Sequence, residues 1–228
     1  MTVISVSNPR AVDDKSTVSR VERVILGGTF DPVHNGHLIS AQELARSMDY
    51  SRITLMPCGE AYHKDGASRS EHRLNMLKIA VQDIDSLGID DREVLRQGAT
   101  YTVDTLTELR HELGPDAHLV WVMGTDAALS LDKWHQWQQI FALANVIVIS
   151  RAGEPELTLP HWPATQVDNV ETFKQHVSGS YYQVGLTPIN LSSSEVRQAI
   201  NHHESVDNHV PHAVIEYIEQ HGLYRGLN

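Results

Sequence analysis

The sequence of 228 residues contains one cysteine, Cys58, and no apolar run long enough to cross a membrane. A single cysteine excludes an internal disulfide and is typical of a protein from a reducing compartment. The first twenty residues lack the apolar centre of a signal peptide. We therefore expect a cytoplasmic protein with no membrane partner.

Positive charge is also scarce. Lys and Arg number 18 against 29 Asp and Glu, which gives a formal net charge of −11. Because broad binding of DNA or RNA needs a basic face, we expect no nucleic-acid partner. An anionic small substrate would have to be held by local donors. The candidates are His34, His37, Lys64, Arg73 and Arg197.

Several motifs of familiar sites are missing. The chain has neither the GxGxxG dinucleotide fingerprint nor the GxxxxGK[ST] phosphate loop. It also lacks the pair of histidines at i and i+4, with a glutamate between them, that binds zinc on a protease helix. We therefore assign no protein metal ligand, and no nucleophile with an adjacent base stands out.

The most informative segment is GGTFDPVHNGH, residues 27–37. It follows the apolar run Val24–Leu26 and precedes an amphipathic stretch, Leu38–Met48. The segment thus connects the first predicted strand to the first predicted helix. α/β proteins bind phosphates at such a connection.

Two features of this segment fit a phosphate ligand. Gly27 and Gly28 would let the backbone approach a ligand closely, and the residues after them would present their N–H groups. His34 and His37 are three apart, so on a helix their imidazoles share one face near its positive end. Gly36 would leave room for something bulky between them.

Apolar runs alternate with helical patterns along most of the chain, which predicts an α/β fold. We expect a Rossmann-like, doubly wound, mainly parallel sheet with helices on both faces and a small C-terminal helical portion. Residues 1–20 are predicted to be a flexible extension, residues 21–228 a single domain, and residues 151–180 a surface excursion.

The predicted strands are Arg23–Leu26, Ile53–Pro57, a strand near Arg92–Leu95, Leu119–Gly124, Val146–Ser150 and Tyr181–Leu186. The predicted helices are His37–Met48, Glu71–Ile84, Val103–Leu113, Asp126–Leu131, Trp134–Ala144, one from Ser193, and Pro211–His221.

The segment GGTFDPVHNGH resembles the signature of the nucleotidyltransferase superfamily with the His-x-Gly-His motif, and most closely that of the bacterial nicotinate-nucleotide adenylyltransferases. Leu191–Arg197, LSSSEVR, resembles that family's Ile-Ser-Ser-Thr-x-x-Arg motif. The resemblance implies an enzyme of NAD biosynthesis, which transfers an adenylyl group from ATP to nicotinate mononucleotide and releases deamido-NAD and pyrophosphate. It also implies Mg²⁺ held by the substrate phosphates.

The same resemblance assigns residues to the two halves of a site. The catalytic residues would be His34, His37 and Arg197. The ATP side would comprise Gly27, Gly28, Thr29, Phe30, His34, His37, Gly124, Asp126, Ser193, Ser194 and Arg197. The nicotinate mononucleotide side would comprise Tyr101, Thr102, Trp134, His135, His63 and Lys64.

Other interpretations stay open at this stage. The serines before Arg197 could simply cap a helix, and so could Asp126, while tryptophans at helical spacing are usually core residues. A sister enzyme would use nicotinamide mononucleotide or phosphopantetheine as acceptor. A protein of another class would bind these nucleotides as a sensor without catalysis. The sequence leaves the choice between a monomer and a homo-oligomer open.

Overall fold

Seven strands form one parallel sheet among the residues that the computed structural model describes, namely 20–59, 68–151, 158–159 and 161–226. The strands are Glu22–Gly28 (β1), Ile53–Pro57 (β2), Leu87–Ile89 (β3), His118–Gly124 (β4), Asn145–Arg151 (β5), Thr165–Gln166 (β6) and Ser180–Leu186 (β7). Their order in the sheet is β3-β2-β1-β4-β5-β7-β6. The chain therefore winds outward from β1 in one direction and from β4 in the other, as predicted for a doubly wound fold.

Helices connect the strands, and none in the described part of the chain is long and apolar enough to span a membrane. The helices are Asn35–Ser47 (α1), Ser70–Val81 (α2), Arg92–Leu95 (α3), Thr102–Leu113 (α4), Thr125–Leu129 (α5), Trp137–Leu143 (α6), Val170–Gln175 (α7), Ser193–Asn201 (α8) and His212–Gln220 (α9). A 3₁₀ turn, Leu131–Lys133, lies between α5 and α6.

Alternate residues of the central strands face opposite sides of the sheet. In β1, Val24 packs into a cluster with α1, α2, α8 and α9, whereas Ile25 packs into a second cluster with α4, α5 and α6. In β4, Val122 and Trp121 divide in the same way. This period of two places a hydrophobic core on each face and confirms the prediction of helices on both sides.

The prediction of a strand near Arg92–Leu95 was wrong. This segment is the short helix α3, and its Glu93 is buried and accepts a hydrogen bond from the Thr105 hydroxyl at 2.8 Å. The neighbouring strand is β3 instead, with only three residues. A strand of that length is too short to show the alternation from which a strand can be recognised.

The prediction that residues 151–180 form only a surface excursion was also wrong for the residues described there. Strand β6 extends the sheet by pairing with β7, and helix α7 buries Phe173 completely in the core. Trp162 is buried too. Prolines at 155, 160 and 163 interrupt the periodicity, so the pattern of a core segment is not visible in the sequence.

The helix predicted over Trp134–Ala144 begins later, at Trp137. Its N-cap residue Gln136 has the left-handed backbone angles φ 47° and ψ 38°, which end the helical path through the preceding residues. Trp134 therefore lies in the connection before α6.

A buried polar network lies at the amino end of the sheet, opposite the predicted site. His118 is fully buried; its Nδ1 lies 2.8 Å from the carbonyl of His176 and its Nε2 lies 3.1 Å from the Tyr50 hydroxyl. Because a carbonyl can only accept, Nδ1 carries the proton and Nε2 accepts from Tyr50. Burial lowers the pKa of His118 from 6.5 to about 4. The imidazole is therefore neutral in the folded protein at neutral pH.

This network predicts a loss of stability in mild acid. The unfolded chain binds a proton at His118 below pH 6.5 and the folded chain only near pH 4, so the free energy of unfolding falls as the pH drops through this window. The difference between the two pKa values corresponds to about 3 kcal/mol. Urea denaturation between pH 7 and 4 measures it. His118→Gln should flatten the pH dependence, whereas the exposed His111→Gln should leave it unchanged; equal slopes in both variants would contradict the assignment.

Candidate functional site

The loop that follows β1 lies at the carboxyl edge of the sheet. Successive strands are added in one direction from β1 and in the opposite direction from β4, so the point between β1 and β4 is the topological switch point of the sheet. Leu26 is paired with Val122, so Gly28 and Gly124 lie level with one another at this point. Ligands of open α/β sheets bind in the crevice at such a position. The fold therefore places the predicted ATP residues of both strands side by side.

The two glycines of this loop are required by packing. A Cβ on Gly27 would collide with the buried indole of Trp121, and one on Gly28 would lie 2.9 Å from the ring of Phe30. Phe30 itself has φ 52° and is buried. The sequence predicted glycine here because a ligand would approach the backbone closely. The structure adds a second reason, since core side chains of the protein occupy the space that a Cβ would need.

His34 and His37 form a stacked pair. Helix α1 begins at Asn35, so His34 is its N-cap and lies just outside the helix rather than on its face as predicted. The two ring centroids are nevertheless 3.7 Å apart, at an interplanar angle of 23°. Gly36 makes the pair possible, because a Cβ there would lie 2.9 Å from Nδ1 of His34. The bulky group that Gly36 admits is thus the imidazole of His34.

The two histidines differ in exposure and in hydrogen bonding. His34 is only 4% exposed, its Nδ1 is buried without a hydrogen-bond partner among the described residues, and burial lowers its pKa to about 4. His37 is partly exposed, and its Nδ1 accepts the backbone N–H of His34 at 3.3 Å. A neutral His37 whose Nδ1 accepts must carry its proton on Nε2. His37 is therefore the imidazole equipped to donate to a ligand.

Helix α8 docks its N-terminus onto the same loop. The Ser193 hydroxyl donates to the carbonyl of Pro32 at 3.0 Å. Arg197 donates to the carbonyl of Asp31 at 2.6 Å and to the Ser194 hydroxyl at 3.2 Å. The structure thus brings Ser193, Ser194 and Arg197 to the loop that bears the histidines.

The capping function belongs to a different serine. Ser192 is the N-cap of α8 and forms a capping box with Glu195, whose carboxylate accepts from the Ser192 hydroxyl at 2.7 Å. These hydrogen bonds lower the pKa of Glu195. Since Ser192 satisfies the cap, Ser193 and Ser194 are available for other contacts.

Asp31 joins three separate parts of the chain at this loop. Its buried carboxylate accepts from the Tyr224 hydroxyl at 2.6 Å and from the backbone N–H of Ser68 at 3.1 Å. Its carbonyl accepts from Arg197. The cis peptide bond between Asp31 and Pro32 lies at the centre of these contacts. Burial, followed by the Asp31 charge, raises the pKa of the Tyr224 hydroxyl, which therefore stays protonated as a donor.

Arg73 stabilises the loops beneath the site from the protein interior. The side chain is completely buried and donates to the carbonyls of Thr29 at 2.8 Å and Ser68 at 3.1 Å, as well as to that of Gly59. It also lies 3.5 Å from the Cys58 sulfur. The sequence suggested Arg73 as a donor to an anionic substrate. These partners are protein atoms, so its contribution is to fix the loop after β1 and the two ends of the connection between β2 and α2 relative to one another.

Asp126 and Gly124 lie at the end of β4. Gly124 is the N-cap of α5, is exposed, and has open space where a Cβ would be. Asp126 is exposed in the first turn of that helix. Both residues therefore border the crevice at the switch point of the sheet.

Two of the predicted acceptor residues, Tyr101 and His135, come together from different segments of the chain. The ring centroids of Tyr101 and His135 are 4.4 Å apart. Thr102 is the first residue of α4, and Trp134 is half-buried against the core. Trp137, expected to be a packing residue, makes an edge contact with Phe141 at 6.4 Å. His63 and Lys64 lie outside the described residues.

Comparison with known proteins identifies the family. The sequence model of the cytidylyltransferase-like family matches residues 25–199. The chain belongs to this family. It is 40% identical over 208 residues to a probable nicotinate-nucleotide adenylyltransferase from Marinomonas sp., covering 88% of this chain and 93% of that protein. A protein of the same name from Hahella chejuensis is 41% identical over 219 residues, covering 90% and 96%.

A solved structure supports the fold of this family member. The nicotinic acid mononucleotide adenylyltransferase of Plasmodium falciparum, complexed with NaAD, superposes with a TM-score of 0.69. The alignment covers 90% of this chain and 98% of that one, at 21% sequence identity. This confirms the Rossmann-like fold predicted from the sequence, and the family model and relatives named above confirm the predicted family resemblance.

Sequence reasoning missed two residues that shape the site in this member of the family. Asp31 stands inside the signature segment, but nothing in its pattern indicates a carboxylate that meets Tyr224 nearly two hundred residues later. The bracing function of Arg73 was hidden as well, because its partners are backbone carbonyls. Only long-range contacts could have revealed either residue.

Proposed function

We propose that the protein transfers the adenylyl group of ATP to nicotinate mononucleotide, which forms deamido-NAD and releases pyrophosphate. Support comes from relatives of that name, which are about 40% identical over nearly the whole chain. The solved neighbour that is complexed with NaAD has the same fold.

One arrangement in the structure carries the proposal. The phosphate half consists of His34, His37, Ser193, Ser194 and Arg197. Ser193 and Arg197 donate to carbonyls of Pro32 and Asp31, and the stacked histidines follow that segment in the chain. The acceptor half consists of Tyr101, Thr102, Trp134 and His135. The first two residues lie at the start of α4, before β4 in the chain, and the other two lie before α6, after β4. The ends of β1 and β4 lie level at the carboxyl edge of the sheet, which is where open α/β sheets bind ligands, and we propose that the two nucleotides meet there.

The chemistry needs no protein nucleophile. A 5′-phosphate oxygen of nicotinate mononucleotide forms a bond to the α-phosphorus of ATP, and the bond from that phosphorus to the bridging oxygen breaks. Pyrophosphate departs with the electron pair. A phosphate monoester is already largely ionised at neutral pH, since its second pKa is about 6, so no base must activate it. Catalysis then consists of holding two anions together and stabilising charge on the α-phosphate and the leaving group.

The contacts of the phosphate half suggest separate contributions. His37 is partly exposed and carries its proton on Nε2, so it can donate to the α-phosphate as charge develops there. His34 is buried and stacked on it, so it fixes the ring plane of His37. Arg197 and the start of α8 would hold the β- and γ-phosphates, because a guanidinium and a helix N-terminus both favour anions.

The metal would enter as part of the substrate. Among residues 20–59, 68–151, 158–159 and 161–226, no group of three or more His, Cys, Asp or Glu side chains could hold a metal ion. We propose that Mg²⁺ is coordinated by the ATP phosphates and by water, as is usual for that ion. MgATP is accordingly the proposed substrate.

The acceptor can be tested by supplying MgATP with each candidate separately. We expect pyrophosphate release with nicotinate mononucleotide at a kcat/KM at least about tenfold above that with nicotinamide mononucleotide, because donors that meet a carboxylate discriminate against an amide. We expect no release with phosphopantetheine. A coupled pyrophosphate assay, with deamido-NAD identified by mass spectrometry, provides the measurement.

The other outcomes have defined meanings. A preference for nicotinamide mononucleotide or phosphopantetheine would assign the protein to a sister activity. Tight binding of MgATP and nicotinate mononucleotide, without pyrophosphate release, would replace the enzyme by a nucleotide sensor.

A further inference from the structure

The loop between α8 and α9 lies against the start of α1. The carbonyl of His209 accepts the backbone N–H of Asn35 at 2.7 Å, and the carbonyl of Asn208 accepts the Asn35 side-chain amide at 3.0 Å. Val206 and Val210, on either side of these residues, are buried in the core. Residue 209 is therefore held at a defined position beside the residue that follows His34.

The side chain of His209 is exposed, and its backbone carbonyl is bonded to Asn35, the residue that follows His34. Burial lowers the pKa of His34, Glu195 in the first turn of α8 raises it, and His209 lowers it further. The residue thus lies beside the N-terminal end of α1, and its electrostatic influence reaches Glu195 in the first turn of α8. That turn borders the loop around Asp31 and Pro32, to which α8 is hydrogen-bonded.

The phosphate half needs donors beyond those already described. Burial keeps His34 neutral, and Arg197 already donates to the Asp31 carbonyl and the Ser194 hydroxyl. Glu195 adds a negative charge on the same turn of α8. A triphosphate brings several more negative charges, and the net charge of the chain is −11, so the overall field does not attract it.

We propose that His209 is a further binding residue for the β- and γ-phosphates of the nucleotide. An imidazole donates a hydrogen bond to an anionic oxygen in either protonation state, and a charged acceptor makes that bond stronger. The proposal rests on the proposed use of ATP. It adds a donor from a third segment of the chain, which the sequence motifs do not include.

The test compares His209→Ala with the wild-type protein. We expect the KM for MgATP to rise about tenfold, which is the loss of one hydrogen bond to a charged group. The kcat and the KM for nicotinate mononucleotide should stay within about twofold, because the lost hydrogen bond stabilises the bound triphosphate equally in the ground state and in the transition state. Competitive inhibition by inorganic tripolyphosphate should weaken by a similar factor. His209→Gln, which keeps an N–H donor, should recover part of the affinity.

His202→Ala is the matched control, because His202 is also exposed and ends the same helix, α8. An unchanged KM for MgATP in His209→Ala, or an equal rise in His202→Ala, would overturn the proposal. Calorimetric binding of MgATP does not depend on turnover. If nicotinate mononucleotide is not adenylylated but His209→Ala still weakens MgATP binding, the proposed acceptor fails and the inference on His209 holds.

Discussion

His37→Ala is expected to lower kcat/KM by about 100-fold or more, the usual loss when a donor to a developing negative charge is removed. Nδ1 of His37 accepts the N–H of His34, so the proton of a neutral imidazole is on Nε2. Nε2 is then the atom from which the α-phosphate receives a hydrogen bond as pyrophosphate departs. Steady-state kinetics with MgATP and nicotinate mononucleotide measure the loss.

Two conservative variants separate this function from a structural one. In His37→Asn the amide oxygen can replace Nδ1 as the acceptor for His34, but no donor reaches the position of Nε2. In His37→Gln the longer amide can place an N–H near that position. We expect both variants to be stable and the Gln variant to be the more active. The exposed His212→Ala should behave as wild type. Full activity in the Asn variant would show that His37 only supports the fold.

Arg73→Met should cost about 3 to 5 kcal/mol of unfolding free energy, the largest effect on stability that we predict. The variant fills the same buried space but leaves the carbonyls of Thr29, Ser68 and Gly59 without this donor. Each buried carbonyl that loses its partner costs about 1 to 3 kcal/mol. Urea denaturation at pH 7 gives the difference directly.

The loss should extend to activity, because the same three carbonyls belong to the loops that form the floor of the site. Arg73→Lys retains the charge but not the planar fork, so it should fall between wild type and Met. Arg46 is an exposed arginine on α1, and Arg46→Met is expected to change stability by less than about 0.5 kcal/mol. A similarly small change in Arg73→Met would disprove the bracing function.

The predictable parts of the fold were those with strong periodicity. Strand β2 matches its predicted bounds, Ile53–Pro57, because its short, mainly apolar run ends at a proline and a glycine-containing loop. Strand β3 and helix α7, which contains Phe173, were not recognised, because elements of three and six residues are too short to show a period. A buried Phe173 can be identified only from what packs on it.

The candidate site divides in the same way. Local motifs predicted His34, His37, Ser193, Ser194 and Arg197, since a phosphate-binding turn and a helix N-terminus have sequence signatures. The stack of the two imidazoles was not predictable in its geometry, because His34 lies outside α1 and Gly36 admits its ring.

By itself the sequence determined the alternation of strands and helices, the position of the phosphate-binding turn at the carboxyl end of β1, and the family to which the chain belongs. These follow from patterns within a few tens of residues, where periodicity and spacing are informative. Only the tertiary structure decided that Asp31 meets Tyr224, that Arg73 faces inward to three carbonyls, and that His209 lies beside α1. Such contacts join residues far apart in the chain, and their energy depends on burial and on geometry that no local pattern contains.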